Sequence, residues 1–436
     1  MHADLLIHNI GQLITVAGGP AMRRGAGPLR GVGPLRGPLM RQLGIVEQAA
    51  VIIRDGAILA AGPQAKLVDA VDATSTLDAG GRCVLPGFVD PHTHLPWAGH
   101  RAHEFDLRIG GATYMEIMAA GGGIVRTVAD TRAASLEQLT RETAERAARM
   151  LAHGTTTAEA KTGYGLNVAD ELKQLRAIAA LQREGPLDLA PTFLGAHAVP
   201  AEYRGRTDAY VDLVVEEMLP AAWAEWQVLK ADFPPRWPIF CDVFCEDGAF
   251  DLAQSERILQ AARTVGFRLK LHVDEFAPLG GTPLAVRLGA TSVDHIVTTP
   301  AEHVTLLAGS ETIGVALPGT PFGLAHRDYT PARSLIDQGG AVALATDLNP
   351  GTCWCENMQF MIALACRYMK LVPAEAIVAA TINAAHAIGL GDRVGSIEGG
   401  KQADLIVLDA DDYRMLGYRF GTNQVRTVVK RGAVVG

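Results

Sequence analysis

Eight candidate strands, at 83–90, 155–161, 188–199, 238–246, 267–275, 292–297, 312–318 and 341–349, recur through the middle of the chain, with helical sequence between many of them. Strand and helix must alternate in this way when strands lie parallel, because each crossover returns the chain to the same end of the sheet. Eight such strands predict an α/β chain closed into a (β/α)₈ TIM-like barrel; a doubly wound open sheet fits the local pattern but suits the count less well. The intervening helices carry their own signals. Leu136, Leu139, Ala144 and Ala147, at offsets of three, eight and eleven residues from the first, form an apolar stripe on one helical face within 136–152, and 169–181 is also patterned as a helix. The run 251–266 begins at Asp251 and ends at Gly266, residue types that cap a helix at its two ends.

The termini read differently. ADLLIHN near the start, then IVEQAAVIIRDGAILAAGP, alternate as strands, with Asp55-Gly56 as a hairpin turn. ADLIVLDA and VRTVVKRGAVV at the other end have the same character, with Arg431-Gly432 at a turn. Neither piece makes a stable sheet alone, so together they predict one composite β-sandwich domain that brings the chain ends close in space. The expected division is 1–82 and 391–436 for this small domain and 83–390 for the barrel. Between the first strands, residues 18–41 are basic, rich in glycine and proline, and without periodicity, which predicts an exposed, partly mobile loop.

The 436 residues are 48% hydrophobic, enough for a large core. A net charge of -8 argues against a nucleic-acid partner. No run of 18 uncharged apolar residues predicts a membrane span, and MHADLLIHNI lacks the features of a signal peptide, so a cytoplasmic protein is expected. Six cysteines in a chain this long are read as thiols rather than as a disulfide framework.

Polar residues cluster where the strands end. The first run closes on His92-Thr93-His94, the third on His197, the fifth on His272-Val273-Asp274-Glu275, the sixth on Asp294-His295 and the eighth on Asp347-Leu348-Asn349. In a barrel all these positions meet at one face, where the chemistry of such folds lies. His92 and His94 alternate with Thr93 and point the same way from an extended segment. We therefore expect His92, His94, His272 and Asp347 to ligate one metal ion, a set that suits zinc or iron and leaves a position for water. Water held there has its pKa lowered towards 7 and becomes the nucleophile. A second metal normally needs a bridging carboxylate or carbamylated lysine on a middle strand; PIFCDVFCE has no lysine, and Lys161 and Lys270 lie on other strands. Glu275, past the last inward position of its strand, is placed to overhang the metal and carry protons. His295 is placed to hydrogen-bond a carbonyl oxygen as it gains charge. Asp347 can also hold the water's proton, and spacing does not divide that role from Glu275's.

These residues resemble a known family. PGFVDPHTH, HVDE, SVDH and the aspartate of ATDLNP are similar to the metal-dependent amidohydrolase superfamily. HRAHEF (100–105), GGGI (121–124), KTGYGL (161–166), FLGAHAVP (193–200), FCEDGAF (244–250) and DLNPGT (347–352) resemble its imidazolonepropionases along nearly the whole chain. The enlarged basic segment is the departure. The resemblance implies metal ligation by His92, His94, His272 and Asp347, and catalysis by Glu275, His295 and Asp347. It implies substrate contacts at Arg101, Tyr114, Tyr164, His197, Glu275, Asn349, Gly351 and Thr352. It also implies one zinc or iron ion per subunit, a small anionic substrate, a cytoplasmic homodimer, and hydrolysis of 4-imidazolone-5-propanoate to N-formimidoyl-L-glutamate.

Two other readings stand beside it. A ring aminohydrolase acting on a purine, pyrimidine or triazine would use the same ligands but release ammonia, and would need no cation for a carboxylate. Arg101, seven residues beyond His94, is the candidate cation. A non-catalytic scaffold of the same fold would let its ligand set decay, whereas here every proposed ligand and proton carrier is present.

Overall fold

The computed structural model describes residues 2–17, 33–111, 122–185 and 187–435. The chain opens with β1 (His2–Ile14), β2 (Ile45–Arg54), β3 (Ala57–Pro63), β4 (Asp72–Asp78) and β5 (Cys83–Pro86). It then lays down β6 (Phe88–Asp90), β7 (Thr155–Lys161), β8 (Asp188–Ala196), β9 (Phe240–Cys245), β10 (Arg268–Val273), β11 (Ser292–His295), β12 (Ile313–Ala316) and β13 (Val342–Leu344). It closes with β14 (Leu405–Leu408), β15 (Val425–Lys430) and β16 (Ala433–Val434).

Strands β6 to β13 pair in parallel in chain order, as the alternation predicts. The terminal strands form one mixed sheet in the order β16-β15-β14-β5-β1-β2-β3, with β4 also on β1. Leu5, Ile7, Val51, Val84, Leu405 and Val429 share one apolar cluster, so both chain ends contribute to a core separate from the barrel's. Among the described residues no helix is long and apolar enough to cross a membrane. All six cysteines are unpaired.

The run 83–90, expected as one strand, is two. β5 joins the terminal sheet between β1 and β14, whereas β6 opens the barrel against β7. Gly87 is the crossing point, and a Cβ there would lie 2.3 Å from Thr156 Oγ1, so only glycine passes. An apolar run carries no mark of which sheet each half will join.

Most barrel strands also stop short of the apolar runs. The chain leaves extended geometry where the polar residues begin: Asp274, His295 and Asp347 have φ of 52°, 74° and 55°. Left-handed backbone at non-glycine residues costs energy and collects at functional sites. The seam between the last and first strands is closed by these same extensions. His94 N donates to Leu348 O (2.9 Å), and Asp347 N to His92 O (3.1 Å). Asp90 adds a side-chain stitch, accepting from Thr346 N (3.1 Å) and Thr346 Oγ1 (2.5 Å).

The helix read at 251–266 spans Leu252–Val265, with Asp251 and Gln254 in a capping box and Gly266 as its C-cap. In the helix Leu136–Ala152 the stripe is rotated: Leu136 is exposed in the first turn, while Arg146 is buried. Residues 33–41 of the basic stretch are anchored rather than loose. Leu35 and Met40 are in the main core, Arg36 Nη1 donates to Ser310 O (2.7 Å), and Gly37 N donates to Gly340 O (2.9 Å). The apolar residues dispersed among the glycines and prolines cover the N-terminal end of the barrel. Residues 18–32 lie outside the described residues.

Candidate active site

Three strands bring the four residues together at the C-terminal face: His92 and His94 just beyond β6, His272 near the end of β10, and Asp347 beyond β13. His94 Nε2 lies 3.4 Å from His272 Nε2 and 3.5 Å from Asp347 Oδ1, and His92 Nε2 lies 3.4 Å from the same oxygen. The trio His92, His94 and Asp347 has the spacing of a metal site; so does His92, His272 and His295, which puts His295 at the same centre.

The ring orientations are set from behind. His92 Nδ1 lies 2.7 Å from Asp294 Oδ2, and His272 Nδ1 lies 2.9 Å from Asp242 Oδ2. A carboxylate at Nδ1 keeps the proton there and leaves Nε2 as a lone pair facing the centre. Burial pushes His272 down to about 3 and His92 well below its ordinary value, so both stay neutral, as ligands must. Burial alone would raise Asp347, but hydrogen bonding to His94 and the neighbouring His295 hold it below the usual carboxylate range. Thr320 Oγ1 donates to its second oxygen. Buried nitrogen lone pairs thus converge with a carboxylate oxygen, and His92 Nε2 has no hydrogen-bond partner among the described residues. This donor set fits a divalent cation such as zinc or iron.

A layer of buried charge lies beneath. Lys161 Nζ donates to Asp242 Oδ2 (2.7 Å) and sits 2.8 Å from Glu159 Oε2. Lys270 Nζ donates to Pro91 O (2.7 Å) and sits 3.1 Å from Glu159 Oε1. Both ammonium groups come within 3.7 Å of Asp294 Oδ2. Burial raises the Asp242 carboxyl, but His272 and Lys161 outweigh it and keep it ionised. The carboxylates backing His92 and His272 are therefore neutralised by two lysines, and His92, Glu159 and Asp294 beside them also have the spacing of a metal site.

Glu275 follows β10 and is almost buried; its Oε2 lies 3.6 Å from His295 Nε2. Burial pushes its carboxyl up to about 7, with His295 opposing and Asp347 and Glu246 reinforcing the shift. His197 stacks on His94 with ring centroids 4.8 Å apart, and Tyr164 lies 5.3 Å from His197. His197 Nδ1 is 3.0 Å from Gly163 O, an acceptor, so its Nε2 is the unprotonated nitrogen.

Arg101 reaches the loop after β13 from the other side. Its Nε donates to Glu104 Oε2 (2.8 Å), while Nη1 lies over Gly351, where a Cβ would approach it to 2.4 Å. Gly351 is thus the residue that lets the guanidinium lie on this loop. Both border a pocket of about 510 Å³ walled by Phe105, Phe322 and Trp354. The Asn349 amide is occupied within the loop: Oδ1 accepts from Gly351 N and Thr352 N (both 2.8 Å), and Nδ2 donates to Asp347 O (2.7 Å) and Thr352 Oγ1 (2.9 Å). Asn349 therefore shapes the pocket's edge. Tyr114 lies outside the described residues.

Several contributors were not singled out in the sequence. Arg146 donates to Leu95 O and Trp97 O (both 2.8 Å) and lies 3.6 Å over the Trp97 ring, pinning the loop that carries His94 and Arg101. Asp242 and Glu159 are charged residues inside buried strands, as is Lys161, which the sequence offered only as a possible metal bridge. That is the signal that finds them, since such residues are buried only when paired.

Residues 256–435 match the amidohydrolase family. An imidazolonepropionase from Herpetosiphon aurantiacus is 57% identical over 436 residues, covering 100% of this chain and 97% of the relative. One from Chloroflexus aggregans is 50% identical over 432 residues, covering 99% and 98%. Among solved structures, an adenosine deaminase from Xanthomonas campestris with bound zinc aligns with a TM-score of 0.69 at 20% identity, over 99% of this chain and 93% of that one. The last likeness is one of fold alone. Identity at the level of the first two, sustained from end to end, assigns the chain to the imidazolonepropionase family of amidohydrolases.

Proposed function

We propose that this chain hydrolyses the cyclic amide bond of 4-imidazolone-5-propanoate, in histidine degradation, to give N-formimidoyl-L-glutamate. Family membership supplies the reaction, and the observation that carries it to these residues is Arg101, whose guanidinium lies on Gly351 in the loop that follows Asp347. In this reading His92, His94, His272 and Asp347 hold one zinc or iron ion. When bound, that ion acidifies water and polarises the amide carbonyl. One C–O bond forms at the carbonyl carbon and the ring C–N bond breaks. Glu275 takes a proton from the attacking water and returns it to the leaving nitrogen, so no covalent enzyme intermediate is needed. His295 steadies the carbonyl oxygen as it gains charge. Tyr164, His197, Gly351, Thr352 and Tyr114 complete the substrate pocket, with Asn349 shaping its edge. A cytoplasmic homodimer belongs to the same reading.

The test is consumption of imidazolone propionate without stoichiometric ammonia. Ammonia release from guanine or cytosine instead would assign the chain to the ring aminohydrolases.

Arg101 carries the substrate class. Its Nε is engaged by Glu104, so its Nη groups are the ones that meet the propionate. A charge-assisted contact of about 1.5–3 kcal/mol predicts that Arg101→Ala lowers kcat/KM about 10- to 150-fold. An analogue lacking the carboxylate should be a poor substrate for the wild type and lose little more in the variant. Equal losses for both would mean that Arg101 supports Glu104 and the loop rather than the substrate.

A further inference from the structure

Two loops of the site are held in the same way. The Glu246 carboxylate, buried at the end of β9, accepts four backbone N–H groups. Oε2 takes Glu275 N (3.1 Å) and Phe276 N (3.0 Å); Oε1 takes Ala277 N (2.9 Å) and Asp247 N (3.0 Å). Glu171, equally buried, accepts Gly163 N through Oε2 (3.0 Å), and Gly165 N and Leu166 N through Oε1 (both 2.8 Å). The first set includes the amide of Glu275 itself. The second flanks Tyr164 on both sides, and His197 rests on the carbonyl of Gly163.

Only a carboxylate can take this many amides, because it has about four acceptor positions and no donor. Neither forms an ion pair among the described residues, and the charge of Glu246 also adds to the upward push on the Glu275 carboxyl. The loop at Glu275 is fixed at a second point. Asp274 accepts from Thr282 Oγ1 and Thr299 Oγ1 (both 2.7 Å) with its own backbone in the left-handed region. A proton carrier must return to one place after every transfer, and a displacement of about 1 Å can cost 10²-fold in rate.

We propose that Glu246 and Glu171 are positioning residues with divided tasks: Glu246 aims Glu275 at the reacting atoms, and Glu171 sets Tyr164 and His197 against the substrate. The inference rests on the function proposed above. Glutamine at either position keeps one accepting oxygen but turns an NH₂ group towards backbone N–H donors.

Steady-state kinetics of Glu246→Gln and Glu171→Gln, with metal content measured in parallel, test the division. Glu246→Gln should lower kcat by about 10- to 100-fold, with KM nearly unchanged. Glu171→Gln should raise KM by about 10-fold and leave most of kcat. In a Glu275→Gln background, Glu246→Gln should add less than about a twofold loss, because its effect passes through Glu275. Parallel losses in the same parameter, or losses that multiply in the Glu275→Gln background, would overturn the proposal. Where a glutamine variant does not fold, Glu246→Asp and Glu171→Asp carry the same comparison with the charge kept and the reach shortened. A Glu275→Gln variant with normal turnover would instead sink the reading of Glu275, and is seen before either clamp is changed.

Discussion

Replacing His272 by alanine should strip the metal and the activity together. His272 Nε2 faces His94 Nε2 at 3.4 Å, so alanine removes one of three nitrogen donors around the centre. Residues that only support a ligand cost about 10- to 100-fold in metal affinity when lost, and a ligand itself should exceed about 100-fold. The fold should tolerate the change, because Asp242 keeps Lys161 Nζ at 2.7 Å and the backbone N of residue 272 at 3.1 Å. Metal retained after dialysis and competition against a chromophoric chelator are the readouts, with a melting curve as the control for folding. A variant that kept a full complement of metal and normal turnover would remove His272 from the ligand set.

That residue also shows how far the sequence could be read. The β10 run announces itself by apolar alternation, and its polar close, His-Val-Asp-Glu, marks the end that faces the chemistry. Period and composition are local properties, and the barrel follows from counting them. Gly87 shows where such reading stops. Whether β5 and β6 are one strand or two depends on a contact with Thr156, far along the chain, and no local pattern encodes it. The loop after β13 is another case. Asn349 has the residue type of a ligand contact, yet its amide is fully used in turning the backbone, which only the folded loop reveals.

The buried charges were legible as anomalies rather than as a network. On sequence Lys161 and Lys270 are weighed only as candidates to bridge two metals. In the fold each reaches across the barrel axis: Lys161 on β7 to Asp242 on β9, Lys270 on β10 to Glu159 on β7. Partners on different strands have no sequence spacing to betray them. Glu246 and Glu171 were hidden for the same reason, one standing among loop residues and the other in the first turn of a helix.

Glu275→Gln should keep the metal and lose turnover by roughly 10²- to 10⁴-fold, the range for a positioned acid-base group. Glutamine preserves the size of the side chain and its place beside His295, which lies 3.6 Å away. It cannot take a proton from water, and the leaving nitrogen then lacks a donor. KM should change little, because the pocket's shape and the Arg101 contact persist. The wild-type carboxyl is pushed by burial up to about 7, where both protonation states are populated and the group can accept and donate within one cycle. A cation held by His92, His94, His272 and Asp347 favours the ionised form and draws that value down. The acid limb of the wild-type kcat profile should therefore fall at or below pH 7, with turnover lost as pH drops through it. Glu275→Gln should lack this limb while its residual rate stays low across the range. An unchanged acid limb in the variant would assign the titration to another group, and turnover within tenfold of wild type would remove Glu275 from proton transfer.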